Sequence, residues 1–362
     1  MSAVVTYYRH LHRFPERSHQ ETETANYIER ELKAMGYQPR RYCQNGVVAD
    51  LITNPQLPWI LLRADMDALP VTENSCAAMP SEHPGVMHAC GHDSHVAMLL
   101  GAAQALVGSK LPQNVRFLFQ PAEEITAGAM EMIEAGAVPE NTRGCFAVHV
   151  WPGVKKGQLA TRPGALMASS DRYRLTVTGK SAHCGQQHLG ADALQTAAAV
   201  VGKIPGIKAL AEDARTVLFC GSLTSGTAHN IVADKAVMTG TLRTFGEKDR
   251  QLMKTKLEAE ANGVAKQFGT SVQLDWESSN PSLNNSKELI EVLGTLAGDF
   301  CGDITASLTA EDFSRYQRVA PGVLLWLGTG DTPPLHTPQF YVPEEILPIG
   351  VDFWTKVANH PW

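Results

Sequence analysis

The sequence is poor in several features, and each shortage closes off a class of function. Basic residues do not predominate: 31 Lys and Arg face 37 Asp and Glu, for a net charge of -6 with His neutral. A nucleic-acid surface needs a basic footprint, so none is expected. No apolar run reaches the roughly 18 residues of a membrane span. No N-terminal stretch runs basic, then apolar, then small, as a secretory leader does. Cysteines number seven, an odd count, and are scattered. That argues against a disulfide framework and for a reducing compartment, the cytoplasm. Low-complexity segments and internal repeats are also missing. What remains, 44% hydrophobic and 19% charged residues, is the balance of a folded globular protein.

A chain of 362 residues exceeds one ordinary domain, and two are expected. In the N-terminal third, Ser18 followed by Glu21 resembles a capping box, and Ala25, Ile28, Leu32 and Met35 mark one helical face. Val47–Ile52 and Trp59–Leu62 are short apolar runs of the kind buried on both faces of a parallel sheet. A helix rich in Ala and Gly over Val96–Val107 suits close packing on that sheet. Val115–Phe119 and Phe146–Val150 supply two more strands. The pattern changes near Ala168. From there the sequence predicts strand Tyr173–Thr178, helix Asp192–Lys203, strands Thr216–Gly221 and Ala236–Thr244, helix Lys248–Phe268 and strand Ser271–Trp276. That order, βαββαβ, is ferredoxin-like. After Pro281 the alternation resumes, with Val323–Leu327 a buried strand. The expected architecture is an α/β catalytic domain (1–167 and 281–362) with a mostly parallel sheet flanked by helices. An α+β lid domain (168–280) interrupts it.

Potential ligands cluster just after predicted strands. Asp65 and Asp67 follow one, Glu123 and Glu124 another, and His149 ends a third. Open α/β sheets bind ligands beyond the carboxyl ends of their strands, so these side chains are expected to converge. Between them lies His88-Ala-Cys90-Gly91-His92-Asp93-Ser-His95, where a thiolate and an imidazole flank a glycine that permits a tight bend. Asp93 occupies an expected helix N-cap. Of the adjacent pair Glu123 and Glu124, one carboxylate could hold a metal while the other accepts a proton from water. A bound metal lowers the pKa of water from about 15.7 towards 7.

Five segments together carry a resemblance: Arg63-Ala-Asp65-Met-Asp67-Ala-Leu-Pro70, Met87-His-Ala-Cys90-Gly-His92-Asp93, Phe119-Gln-Pro-Ala-Glu123-Glu124, Ser181-Ala-His183 and Leu335-His336-Thr-Pro. In this order they resemble the M20 metallopeptidase family, in its aminoacylase, hippurate hydrolase and auxin-conjugate hydrolase branch. The resemblance implies two divalent metal ions per subunit, held by Cys90, His92, Glu124, His149 and His336, with Glu123 as general base. Zinc, cobalt and nickel suit a thiolate with imidazoles, and the carboxylates admit manganese. Asp65 and Asp67 are implied to be the carboxylates that orient metal-bound imidazoles. On the lid, His183 and Asn230 match residues that meet the substrate, and Arg243 lies on the next strand. The lid motif departs from the family at Cys184-Gly185-Gln186-Gln187. Glu311-Asp312-Phe313 matches a family segment without an assigned role.

The implied activity is hydrolysis of N-acyl amino acids (acetyl, benzoyl or related conjugates) by a homodimer joined through the lid domain. Deacetylation of N-acetyl-diaminopimelate and dipeptide or carboxypeptidase cleavage are the alternatives within the enzyme class. A catalytically silent metal-binding scaffold is the alternative outside it, and every expected catalytic position is filled.

Overall fold

A computed structural model describes residues 2–77 and 79–362. The chain separates into two units: Met1–Leu166, Asn284–Thr305 and Asp312–Trp362 form the larger, and Met167–Leu283 with Ala306–Glu311 the smaller. The larger unit begins with helices α1 (Ala3–Arg13) and α2 (Thr22–Ala34) and strands β1 (Arg40–Tyr42), β2 (Gly46–Leu51) and β3 (Trp59–Asp65). It continues through α3 (His92–Ala105), β4 (Asn114–Gln120), α4 (Gly128–Glu134), β5 (Thr142–Pro152) and β6 (Leu159–Ala160). Short strand β7 (Gly164–Met167) leads into the smaller unit, which runs β8 (Ser170–Thr178), α5 (Ala193–Lys208), β9 (Val217–Ser225), β10 (Lys235–Arg243), α6 (Glu247–Phe268) and β11 (Ser271–Asn280). The return passes β12 (Leu283–Asn285), α7 (Lys287–Leu296), β13 (Phe300–Cys301), β14 (Gly322–Gly330) and α8 (Leu347–Asn359). Among the described residues no helix is long and apolar enough to cross a membrane.

The larger unit is built on one sheet of order β1-β2-β4-β3-β5-β14-β6-β13. Its centre, β4-β3-β5-β14, is parallel. β2 is buried at Val47, Val48 and Ala49, as its apolar run predicts, yet it pairs antiparallel with β4. Continuous apolarity reports burial on both faces and says nothing of strand direction. Helix α3 packs against β3 and against helices α1 and α8, and its residues from His92 to Ala103 are all buried. Its small side chains follow from that enclosure. A Cβ on Gly101 would stand 2.7 Å from Val351 Cγ2, and one on Gly350 would stand 2.0 Å from Met98 Sδ.

Two helix starts differ from the sequence reading. Helix α2 begins at Thr22, and Ser18 caps nothing; its hydroxyl donates to Asp67 Oδ2 at 2.7 Å. Glu21 is buried and accepts from the Ala122 N–H (2.9 Å) and Asn45 Nδ2 (3.0 Å). Helix α3 opens one residue before Asp93, with Gly91 as its N-cap. Asp93 instead accepts from Ser94 N and pairs with His12 Nδ1 at 2.6 Å. In both cases a tertiary partner took the polar side chain that a local cap would have used.

The smaller unit has a four-stranded antiparallel sheet of order β11-β8-β10-β9, the ferredoxin-like arrangement. Tyr173, Leu175 and Val177 alternate into its core. Ala193, Ala197, Val200 and Ile204 of α5 and Met253, Leu257, Ala261 and Val264 of α6 cover them at helical spacing. Strand β9 forms one edge.

Candidate metal centre

Strand ends and tight turns deliver the polar side chains of the larger unit. Strand β3 ends on Asp65, and β4 ends on Gln120, three residues before Glu123. Between them Ala122 has a φ of 55°, an uncommon conformation outside glycine. The buried Glu21 carboxylate holds its N–H there. Gly91 has a φ of 83°, and a Cβ on it would stand 2.4 Å from Val150 Cγ2. Only glycine lets Cys90 and His92 turn towards β5 at this point. His336 also has a positive φ, 62°, and its N–H donates to Ala89 O at 2.8 Å, which ties the two loops together.

The donor atoms meet. Cys90 Sγ lies 3.5 Å from His149 Nε2 and 3.2 Å from His336 Nε2. His336 Nε2 lies 3.4 Å from Glu124 Oε1, and His92 Nε2 lies 4.0 Å from the same oxygen. Two triads, Cys90–His92–His149 and Cys90–Glu124–His336, each bring their ligand atoms within 4.8 Å of one another, and Cys90 belongs to both. Glu123 joins His92 and Glu124 in a third group. His92 Nε2 and Glu124 Oε1 are buried with no hydrogen-bond partner. Buried polar atoms are rarely left so, and a cation would satisfy both. The donor set of one thiol, imidazoles and a carboxylate fits a pair of divalent transition ions.

The carboxylates behind the cluster prepare it. His92 Nδ1 faces Asp67 Oδ1 at 3.2 Å, so Nδ1 carries the hydrogen and Nε2 keeps its lone pair for a metal. His149 Nδ1 donates to Val150 O at 2.7 Å, with the same consequence for its Nε2. Burial, with His95 and His92 nearby, holds His149 well below the usual histidine range. Burial also works against charge on His92, but Asp65, Asp67 and Glu124 outweigh it and carry the ring to about 10. That environment favours positive charge at Nε2, whether proton or metal ion. Burial pushes the Glu124 carboxyl up to about 7; His92 opposes the shift, and Asp67 and Asp65 add to it.

Of the sequence-selected residues, the structure gathers Cys90, His92, Glu123, Glu124, His149 and His336, backed by Asp65 and Asp67. His183, Asn230 and Arg243 belong to the smaller unit. The first two are neighbours there: Cys184 N donates to Asn230 O at 3.0 Å, and His183 bridges to Ile231. The departing stretch from Cys184 forms a short 3-10 turn, with the Gly185 N–H on His183 Nδ1. Arg243 is separated from them by the length of β10. It sits at the end of the sheet where the chain enters the unit and donates to Leu308 O.

Sequence reasoning left three participants without a role. His95 Nδ1 is 2.6 Å from Asp65 Oδ1, and its Nε2 accepts from Val150 N, so it braces Asp65. Its spacing of three from His92 put both on one helical face, which was readable. Arg63 alternates with Asp65 along a strand, so their shared side was readable too. Asp312 was marked only by the family resemblance of Glu311-Asp312-Phe313, which assigns it no role.

Residues 61–360 match the family described as Peptidase family M20/M25/M40. The chain is 33% identical to an N-acetylcysteine deacetylase of Bacillus subtilis over 359 residues, covering 97% of this chain and 94% of that protein. It is also 33% identical to an N-acetyldiaminopimelate deacetylase of Streptococcus suis over 360 residues, covering 95% of each. Among solved structures, the Bacillus subtilis YXEP protein, described as a dinuclear metal binding peptidase, superposes with a TM-score of 0.86 at 31% identity. That superposition covers 98% of this chain and 96% of the other. With the family spanning most of its length and a donor cluster ready for metal, the chain belongs to the M20 family of metal-dependent hydrolases, which act on amide and peptide bonds.

Proposed function

We propose that this hydrolase cleaves the amide bond of N-acyl amino acids, with two divalent ions at the Cys90 cluster and Glu123 as general base. The observation that carries the reading is the sharing of Cys90 between two donor triads, beside the unsatisfied His92 Nε2 and Glu124 Oε1. Bound ions would polarise the scissile carbonyl and make water at the site acidic enough to attack near neutral pH. Cys90, His92, His149, Glu124 and His336 would hold them, with zinc, cobalt, nickel or manganese as candidates.

Glu123 is buried beside Glu124 and His92 without being needed in either triad. It takes the proton from the attacking water and returns it to the departing nitrogen. His183 and Asn230 on the smaller unit steady the negative charge that develops on the carbonyl oxygen or grip the substrate's carboxylate. Arg243 serves at the other end of that sheet. The separation supports a homodimer in which His183 and Asn230 serve the partner's metals. The seven cysteines are free thiols, compatible with the cytoplasm.

N-acetylated amino acids name the substrates of the two deacetylase relatives, which supports the substrate class. Peptide cleavage is the second reading, favoured by the description of the solved relative as a peptidase. The test is a panel of acetyl, benzoyl and longer acyl amino acids beside dipeptides, assayed with metal-loaded enzyme and with Glu123→Gln. Turnover of an acyl amino acid should fall by roughly 10²–10⁴ in the variant at unchanged metal content. Hydrolysis confined to dipeptides would overturn the substrate class, and unchanged turnover would overturn the role of Glu123.

A further inference from the structure

Behind Glu123 lies a polar cluster that the proposed chemistry does not use. Arg63 is 2% exposed and Asp65, Gln120 and Asp312 are 0% exposed. The guanidinium divides its donors: Nη1 to Asp65 Oδ2 at 2.6 Å, Nη2 to Asp312 Oδ1 at 2.9 Å and Nε to Gln120 Oε1 at 2.9 Å. Asp312 also receives Gln120 Nε2 on both oxygens, at 2.9 and 2.8 Å, and the Ala129 N–H at 3.0 Å. A carboxylate this deep is costly unless its lone pairs are filled, and here they are. The immobilised residue then turns its own main-chain N–H to Glu123 Oε1, at 3.3 Å.

We infer that Asp312 is a positioning residue for the general base. Its side chain is locked by Arg63, Gln120 and Ala129, so its N–H fixes the rotation of the Glu123 carboxylate. The planar fork of Arg63 matters because it serves two carboxylates in fixed directions, which an ammonium cannot reproduce. Its other carboxylate, Asp65, accepts from His95 and lies 3.7 Å from His92 Nε2. One buried cation thus anchors both the base and the wall of the metal cluster. Base and nucleophile must meet within narrow limits of distance and angle, and a displacement of about 1 Å costs on the order of a hundredfold in rate. The inference rests on the reading of Glu123 as the base.

The experiment measures kcat, KM and metal content for Asp312→Asn and Asp312→Ala, each alone and combined with Glu123→Gln. The substrate is the acyl amino acid turned over fastest in the panel above. Gln120→Met is the milder companion, should Asp312→Ala fail to fold; it removes the two hydrogen bonds from Gln120 Nε2 to Asp312 and leaves the Arg63–Asp312 pair in place. With Glu123 present, each change is expected to lower kcat by about tenfold to a hundredfold while KM and metal content hold. With Gln at position 123 the further loss should be under about threefold, since groups that act as a unit are not additive. A purely structural role would cost the same in both backgrounds, and that result, or parallel loss of metal, would overturn the inference alone. Full turnover in Glu123→Gln by itself would remove the base reading and the inference with it, and that single variant identifies the case.

Discussion

Cys90 Sγ and His336 Nε2 stand 3.2 Å apart although 246 residues separate them in the chain. The thiol is 7% exposed, whereas the imidazole side chain is 53% exposed, so the cluster has a sheltered and an open side. Because Cys90 belongs to both triads and His336 to one, their loss should differ. Cys90→Ala is expected to abolish tight binding of both ions, and His336→Ala to leave one. Elemental analysis after dialysis against metal-free buffer reads the stoichiometry directly. Equal losses in the two variants would show that the thiol is not shared. Cys90→Asp keeps an anion in place and should shift preference towards harder ions such as manganese.

Asp67 selects which nitrogen of His92 is offered. Its Oδ1 takes the Nδ1 hydrogen, and its Oδ2 is engaged by the Ser18 hydroxyl and the Glu124 N–H. Asp67→Ala frees the His92 tautomer and should weaken metal affinity by roughly 10–100-fold, the usual cost of losing such a support. Titration with a competing chelator would measure it. An unchanged affinity would mean that packing alone orients His92.

Much of this site was legible because its chemistry is tied to the ends of strands. Apolar runs located β3, β4 and β5, and the acids at the ends of β3 and β4 had to gather where parallel strands point the same way. His149 joins them from within β5, which runs on to Pro152, beyond the apolar run that ends at Val150. The βαββαβ order was legible in the smaller unit as well, where Tyr173, Leu175 and Val177 alternate along β8 as a half-covered strand requires. Helix starts were less legible. Ser18 and Asp93 have the side chains of caps, but both spend them on distant partners, Asp67 and His12. Asp312 stood out only through the resemblance of Glu311-Asp312-Phe313 to a family segment, and its role stayed unread for the opposite reason: its contribution to Glu123 is a main-chain N–H, and no residue pattern marks one.

His12 lies between two carboxylates, with Nδ1 2.6 Å from Asp93 and Nε2 3.1 Å from Glu73. Burial opposes its charge, but hydrogen bonds and charges from Asp93 and Glu73 prevail and raise it to about 10. Burial likewise opposes charge on Glu73, which its partners, His12 first, nonetheless lower to about 2. An unfolded histidine titrates near 6.5, so the contribution of His12 is full below about 6.5 and is lost as pH rises through about 10. His12→Ala should cost about 3–5 kcal/mol at pH 6, where it leaves buried carboxylates without their cation. Urea unfolding of both proteins at pH 6, 8 and 10 should show the gap narrowing upward. A constant gap would mean that His12 stabilises through packing.

Strand β9 is an unpaired edge of the smaller unit's sheet and carries Phe219 at 58% exposure. A long edge with an exposed aromatic is a template for pairing with another chain. His183 and Asn230 lie by one end of β10, and Arg243 is the last residue at its other end. At about 3.3 Å per residue, β10 holds them some 25 Å apart, too far for both to grip one small substrate within a chain. A homodimer joined through the smaller unit removes the difficulty, since each metal centre would take His183 and Asn230 from the partner. His183→Ala should then lower kcat strongly and leave metal content intact. Mixing His183→Ala with Glu123→Gln under conditions of subunit exchange tests the arrangement. Heterodimers would hold one site with both groups, and random exchange in a closed dimer should restore about a quarter of wild-type activity. Each variant alone stays near zero. If labelled subunits exchange and no activity returns, His183 does not act across the interface, and the separation along β10 needs another cause.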